Sequence, residues 1–154
     1  MSGVKTFSNE TSERYALALF ELANEKSELE SIEKNITSIK EICKRILGPV
    51  YTLISQNGVI SKPKNYQSTY AWHRDLNYQH FTSSKPIAIS MLLCVDEFNS
   101  ETGGTYILSG THKQEEFPSD AYVKKNQEVI NADIGDLIIF DSMMYHRTGK
   151  NYSN

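Results

Sequence analysis

His73 and Asp75 stand two residues apart in the stretch Tyr70-Ala71-Trp72-His73-Arg74-Asp75. In an extended chain that spacing turns both side chains to one face and Arg74 to the other. An imidazole and a carboxylate converging in this way are two metal ligands. A second imidazole would complete the two-histidine, one-carboxylate face that holds a mononuclear ferrous ion and leaves the remaining positions open to substrate and dioxygen. His146 is the candidate. It follows the apolar run Leu137-Ile138-Ile139-Phe140, which Gly135-Asp136 introduces as a turn, so it is expected just past the end of a buried strand. An ordinary surface ion pair is the plainer reading of an isolated His-x-Asp, and the rest of the chain has to decide between them.

The same letters, His73-Arg74-Asp75-Leu76, also open a protein-kinase catalytic loop, which requires an asparagine five residues after its aspartate. His80 stands there, no glycine-rich phosphate loop precedes the stretch and no Asp-Phe-Gly follows it, so the kinase reading fails. His80 itself belongs to no motif.

The elements that must carry these ligands fall into two textures. Up to residue 46 there is no proline, and no glycine after Gly3. Tyr15, Ala18, Leu19, Leu22 and Ala23 form an apolar stripe at helical spacing, and Ser27-x-x-Glu30 reads as a capping box that starts a second helix. Leu29, Ile32, Ile36, Ile39, Cys43 and Ile46 then give that helix a narrow apolar seam. Gly48-Pro49 stops it. Beyond lie short β-prone runs at Val50 to Ile54 and Gly58 to Ile60, a turn at Lys62-Pro63-Lys64-Asn65, and a continuous apolar run from Ile87 to Val95 that reads as a buried central strand. Thr105 to Leu108, Val129-Ile130 and Leu137 to Phe140 add further strands, with a polar excursion from Pro118 to Asn126. Short strands at regular spacing argue for a sandwich or a barrel, giving a mainly β chain with N-terminal helices, an α+β arrangement.

Composition excludes several functions. The chain has 154 residues with a formal net charge of −3, which offers no basic field for nucleic acid. No run approaches the ~18 apolar residues of a membrane span, and Met1 to Phe7 lacks a signal core. Cys43 and Cys94 lie in unlike contexts, one helical and one strand-like, so both are expected reduced and buried in a cytoplasmic protein.

Gly58-Val59-Ile60-Ser61-Lys62-Pro63, Trp72-His73-Arg74-Asp75, Glu101-Thr102-Gly103-Gly104-Thr105, Ser109-Gly110-Thr111-His112-Lys113, Gly135-Asp136 and His146-Arg147-Thr148-Gly149-Lys150-Asn151 occur in this order. From about Leu47 to the last residue the text resembles the phytanoyl-CoA dioxygenase family of Fe(II)- and 2-oxoglutarate-dependent oxygenases. The resemblance implies a double-stranded β-helix, a jelly roll of the cupin kind, with His73, Asp75 and His146 as iron ligands. It implies 2-oxoglutarate as cosubstrate, dioxygen as oxidant and a small organic molecule as the hydroxylated substrate. Lys62 and Thr148 fall where family members help bind 2-oxoglutarate, and His112 falls in a turn where the histidine is structural. Tyr70, Trp72 and Tyr78 are either pocket walls or aromatic strand residues that pack a sheet. The family's arginine for the far carboxylate, expected about eleven residues after His146, would lie past Asn154, and Arg147 should point to the opposite face. The expectation is therefore a C-terminally truncated, incomplete β-helix.

The earlier stretch Ser12-Glu13-Arg14-Tyr15-Ala16-Leu17-Ala18-Leu19-Phe20-Glu21-Leu22-Ala23 resembles a different family, the N-terminal helical domain of the ATP synthase delta subunit, over about residues 7–42. The expected organisation is thus a helical segment over 1–46, able to dock a protein partner, followed by an oxygenase-like domain over 47–154. Two rival readings accompany it: a non-catalytic interaction segment built on the helices, and a metal-binding cupin that needs no 2-oxoglutarate.

Overall fold

The computed structural model describes residues 7–63, 71–76 and 81–153. The chain divides into two units, Met1–Arg45 and Ile46–Asn154. In the first, helix α1 spans Phe7–Glu25 and helix α2 begins at Leu29 and runs to Leu47. Between them Ser27 adopts a left-handed conformation, φ 58°. Its N–H donates to the Asn24 carbonyl at 3.0 Å, and the Glu28 N–H donates to the Ala23 carbonyl at 2.8 Å. Those two bonds close the last turn of a helix. Ser27 therefore terminates α1 and is not the cap of α2, which corrects the capping box expected there. The first α2 bond runs from Ile32 N–H to the Glu28 carbonyl, 3.0 Å, so Glu28 occupies the capping position. Of the α1 stripe Ala23 is buried, whereas Leu19 and Leu22 are exposed, as are Ile32 and Ile36 of the α2 seam. Gly48, at φ 97°, supplies the left-handed residue that ends α2.

The second unit departs from the sequence expectation at its start. Among the described residues, 50–54 and 58–60 join no sheet, and Val50, Leu53, Ile54, Val59 and Ile60 are exposed. β-propensity reflects packing on a pleated surface and does not create a strand where no ladder receives it.

Among the described residues five short strands follow: β1 (Ile89–Leu93), β2 (Tyr106–Ile107), β3 (Glu128–Val129), β4 (Leu137–Asp141) and β5 (His146–Arg147). β1 and β4 pair antiparallel, with Ile89 opposite Asp141 and Leu93 opposite Leu137. β2 lies between β3 and β5, antiparallel to both. An isolated antiparallel bridge joins His73 to His146, so the ligand-bearing stretch continues this second sheet past β5. The run Ile87 to Val95 is not a buried central strand: β1 has only β4 beside it among the described residues, and Ile87, Leu93 and Val95 are exposed. The polar excursion from Pro118 contains a helix, α3 (Asp120–Asn126), whose N-cap Ser119 accepts from the Tyr122 N–H at 3.3 Å.

The buried side chains of this unit gather where β4 passes into β5. Met143, Met144, Tyr145 and His146 are consecutive and buried, and Phe140, Leu108, Thr111, Cys94 and Ala88 are buried too. Cys94 is a buried free thiol; Cys43 is free and only half-buried, against the expectation that both are interior. The architecture is helices preceding small antiparallel sheets. The strands close no barrel among the described residues. No described helix is long and apolar enough to cross a membrane.

Candidate metal centre

The turn from β4 to β5 delivers His146. Asp141 Oδ1 accepts from the Met143 N–H at 2.8 Å and its carbonyl from the Met144 N–H at 2.8 Å, a local bond pattern that reverses the chain after the apolar strand. His146 then pairs with His73, each N–H donating to the other's carbonyl at 3.0 Å. Two residues on, the Asp75 N–H donates to the Ser142 carbonyl at 3.0 Å, which ties the carboxylate's backbone to the same turn. All three candidate ligands are thus placed by main-chain bonds to one short segment.

Their side chains converge. Asp75 Oδ1 lies 3.3 Å from His146 Nε2 and 3.8 Å from His73 Nε2, and one ligand atom from each residue falls within 4.8 Å of the others. The imidazoles are oriented from behind: His73 Nδ1 is 2.8 Å from the Ala71 carbonyl and His146 Nδ1 is 2.9 Å from the Met144 carbonyl. A carbonyl only accepts, so each Nδ1 carries a proton and each ring turns its Nε2 toward Asp75. Two ring nitrogens and a carboxylate oxygen aimed at one point need a proton or a cation among them, and carbonyl-anchored imidazoles are the usual outer support of a bound metal. The donor set fits a divalent ion of the iron class. His146 is buried and packs edge-on against Phe140, ring centroids 4.9 Å apart, whereas His73 and Asp75 are partly exposed. The open side of the site is theirs.

Burial pushes the Asp75 carboxyl up, but in the metal-free site hydrogen bonds from His146 and Ser90 and the charge that the two imidazoles carry when protonated outweigh it, holding the group below its ordinary value.

The residues between the ligands face the other way. Arg74 is buried, donates to the carbonyls of Thr111, at 3.0 Å, and Gln114, and lies 4.3 Å over the ring of Tyr145. Arg147 lies 4.0 Å over Tyr106 and 5.4 Å over Trp72, so its side chain turns away from the ligand face as strand alternation requires. Trp72 is engaged in that stack. Tyr70, Tyr78 and His80 lie outside the described residues.

Thr111, wholly buried, accepts from the Tyr145 N–H at 3.0 Å and donates to the Leu108 carbonyl, so the Gly110 to Lys113 turn braces the back of the ligand strand. His112 sits in that turn, half-buried and outside the ligand cluster. Lys62 is exposed; its neighbour Ser61 accepts from Asn151 Nδ2 at 2.6 Å, which holds this segment beside the chain that follows β5. Thr148 is half-buried in that chain. Sequence reasoning overlooked Ser90 and Ser142, which reach Asp75 from behind. The signal for Ser90 was there: it is the one hydroxyl residue inside the apolar run from Ile87 to Val95.

The model of the phytanoyl-CoA dioxygenase family matches residues 4–154. The chain belongs to the phytanoyl-CoA dioxygenase family. The match runs through both long helices, and no comparison supports the likeness of residues 7–42 to the ATP synthase delta subunit. Two curated relatives, the uncharacterized proteins Rv1501 of Mycobacterium tuberculosis and Mb1539 of Mycobacterium bovis, are each 29% identical over 125 residues, which cover 77% of this chain and 44% of theirs. This phytanoyl-CoA dioxygenase family chain therefore spans less than half the length of the curated relatives it matches. Among solved structures it is similar to EvdMO1 (TM-score 0.42, 23% identity, covering 54% of this chain and 20% of that one). It is also similar to AviO1 from Streptomyces viridochromogenes (TM-score 0.40, 24% identity, covering 55% and 38%).

Proposed function

We propose that this chain carries the centre of an Fe(II)- and 2-oxoglutarate-dependent oxygenase that hydroxylates a small organic substrate, with His73, Asp75 and His146 as the iron ligands. The observation that supports it most is the orientation of the two imidazoles, whose carbonyl-bound Nδ1 atoms leave both Nε2 atoms facing Asp75 Oδ1. Iron with its cosubstrate supplies oxidative decarboxylation of 2-oxoglutarate coupled to hydroxylation of a C–H bond. The chain's own residues hold the ion on one face, shield it on the His146 side and leave the His73 and Asp75 side open to substrate. Lys62 and Thr148 help bind 2-oxoglutarate in this reading, which rests for them on the family motifs that contain them. We assign the centre to residues 47–154 within a jelly-roll framework, and residues 1–46 to a helical segment able to meet a protein partner. The free thiols of Cys43 and Cys94 suit the reducing cytoplasm.

Anaerobic titration tests this. Fe(II) followed by 2-oxoglutarate should produce the weak visible charge-transfer band of a chelated cosubstrate. Stoichiometric Fe(II) binding with no band on adding 2-oxoglutarate would instead indicate a cupin-type metal protein, and no metal binding at all would leave the helical interaction role.

A further inference from the structure

Asp75 has two carboxylate oxygens, and the structure treats them differently. Oδ1 faces both imidazoles, while Oδ2 accepts from Ser90 Oγ. Ser90 Oγ is in turn 2.8 Å from Ser142 Oγ. A hydroxyl has one proton to give. Since Ser90 gives its own to the carboxylate, the proton between the two serines must come from Ser142, and the chain of donation runs Ser142 to Ser90 to Asp75 Oδ2. The sheet register explains how these residues meet. Ser90 of β1 pairs with Phe140 of β4, and Ser142 lies two residues past Phe140, so the serines are diagonal neighbours on one face of the ladder. Ser142 is buried, and its backbone is fixed on both sides: its N–H donates to the Ala88 carbonyl at 3.1 Å and its carbonyl accepts from Asp75 at 3.0 Å. The relay is therefore anchored in the same segment that positions the ligands.

We infer that Ser90 and Ser142 are positioning residues that hold Asp75 as a one-oxygen ligand, occupying Oδ2 so that only Oδ1 reaches the metal. The inference rests on the metal reading above. A donating hydroxyl chain, each bond polarising the next, keeps the carboxylate from rotating into a two-oxygen grip that would use up a coordination position needed by cosubstrate or dioxygen.

Fe(II) affinity measured anaerobically, together with the visible absorption of the Co(II)-loaded chain, tests this without recourse to turnover. Ser90→Ala should weaken Fe(II) binding by about 10- to 100-fold and lower the intensity of the Co(II) bands as the freed Oδ2 joins the coordination. Ser142→Ala, which touches no ligand side chain, should weaken binding in the same direction but less, and Ser90→Thr, which keeps the hydroxyl, should restore most of the loss. If Ser90→Ala binds Fe(II) like the unaltered chain and its Co(II) spectrum is unchanged, the relay is wrong while the metal site stands. If the unaltered chain binds neither Fe(II) nor Co(II), the metal reading falls and takes the relay with it.

Discussion

His73 and His146 face one another across a single antiparallel bridge, each donating its N–H to the other's carbonyl at 3.0 Å, with ring centroids 4.4 Å apart. Residues separated by most of the domain in sequence are thereby held at a spacing that the backbone sets. Neither side chain has to search for its partner, which is the preorganisation a metal site requires.

Replacing any of the three ligands should abolish stoichiometric Fe(II) binding, but the stability effects should differ. His73→Ala removes a partly exposed group and should shift unfolding by ~0.5 kcal/mol or less, whereas Asp75→Ala also strips the Ser90 hydroxyl of its acceptor and should cost about 1 kcal/mol. His146→Ala empties a buried position packed against Phe140 and should cost about 1–3 kcal/mol. Metal analysis and urea denaturation on the same samples check both halves; iron retained by the His146 variant would remove that residue from the site.

Arg74 supports the site without touching it. Arg74→Met keeps the bulk but leaves the Thr111 and Gln114 carbonyls without their charged donor, and should cost about 1.5–3 kcal/mol. Arg74→Lys should recover little, because a single ammonium cannot reproduce both the fork and the stack on Tyr145. A lysine variant as stable as the unaltered chain in urea would show that charge alone suffices.

Gly149 lies against the chain preceding β2. Its N–H donates to the Gly104 carbonyl at 3.0 Å, and a Cβ placed on it would collide with that same carbonyl oxygen and come within 3.1 Å of the Tyr106 ring. Gly149→Ala should therefore destabilise by about 1–3 kcal/mol and displace Thr148. If Thr148 contacts the cosubstrate, the variant should keep its Fe(II) affinity while losing affinity for 2-oxoglutarate, and calorimetry with each in turn separates the two.

Asp75 predicts an acid limit. Its folded pKa lies below the ordinary 3.8, so its ionised form contributes stability that is fully present above that value and is lost as pH falls through the lower folded value. In metal-stripped protein, the stability difference between the unaltered chain and Asp75→Asn should shrink as pH falls from the ordinary 3.8 through the lower folded value. A difference that keeps growing below 3.8 would show that the ionised carboxyl is not what stabilises the fold.

The convergence of His73, Asp75 and His146 was legible because its chemistry is local. Two residues of separation on an extended chain decide which face His73 and Asp75 share, and Gly135-Asp136 before four apolar residues marks β4. Partnership was not legible. Val50 to Ile60 and Ile87 to Val95 carry the same β-branched vocabulary, yet among the described residues only the second finds a neighbouring strand, and even there Leu93 and Val95 remain exposed. Ser27 shows a related ambiguity, since a serine before a helix and a serine closing the previous one look alike until φ is known. α3 was hidden by its polarity, although Ser119-Asp120 is a capping signal of the ordinary kind.

The reciprocal bridge also makes the site readable by proton exchange. If the proposed ion is held by both imidazoles, opening the bridge should require its release, so metal dissociation and bridge opening are expected to be linked. In the regime where reclosing is fast, each tenfold excess of free metal over its dissociation constant should slow deuterium uptake at the His73 and His146 amides by about tenfold. Amides of α1 and α2 should serve as an unaffected internal reference.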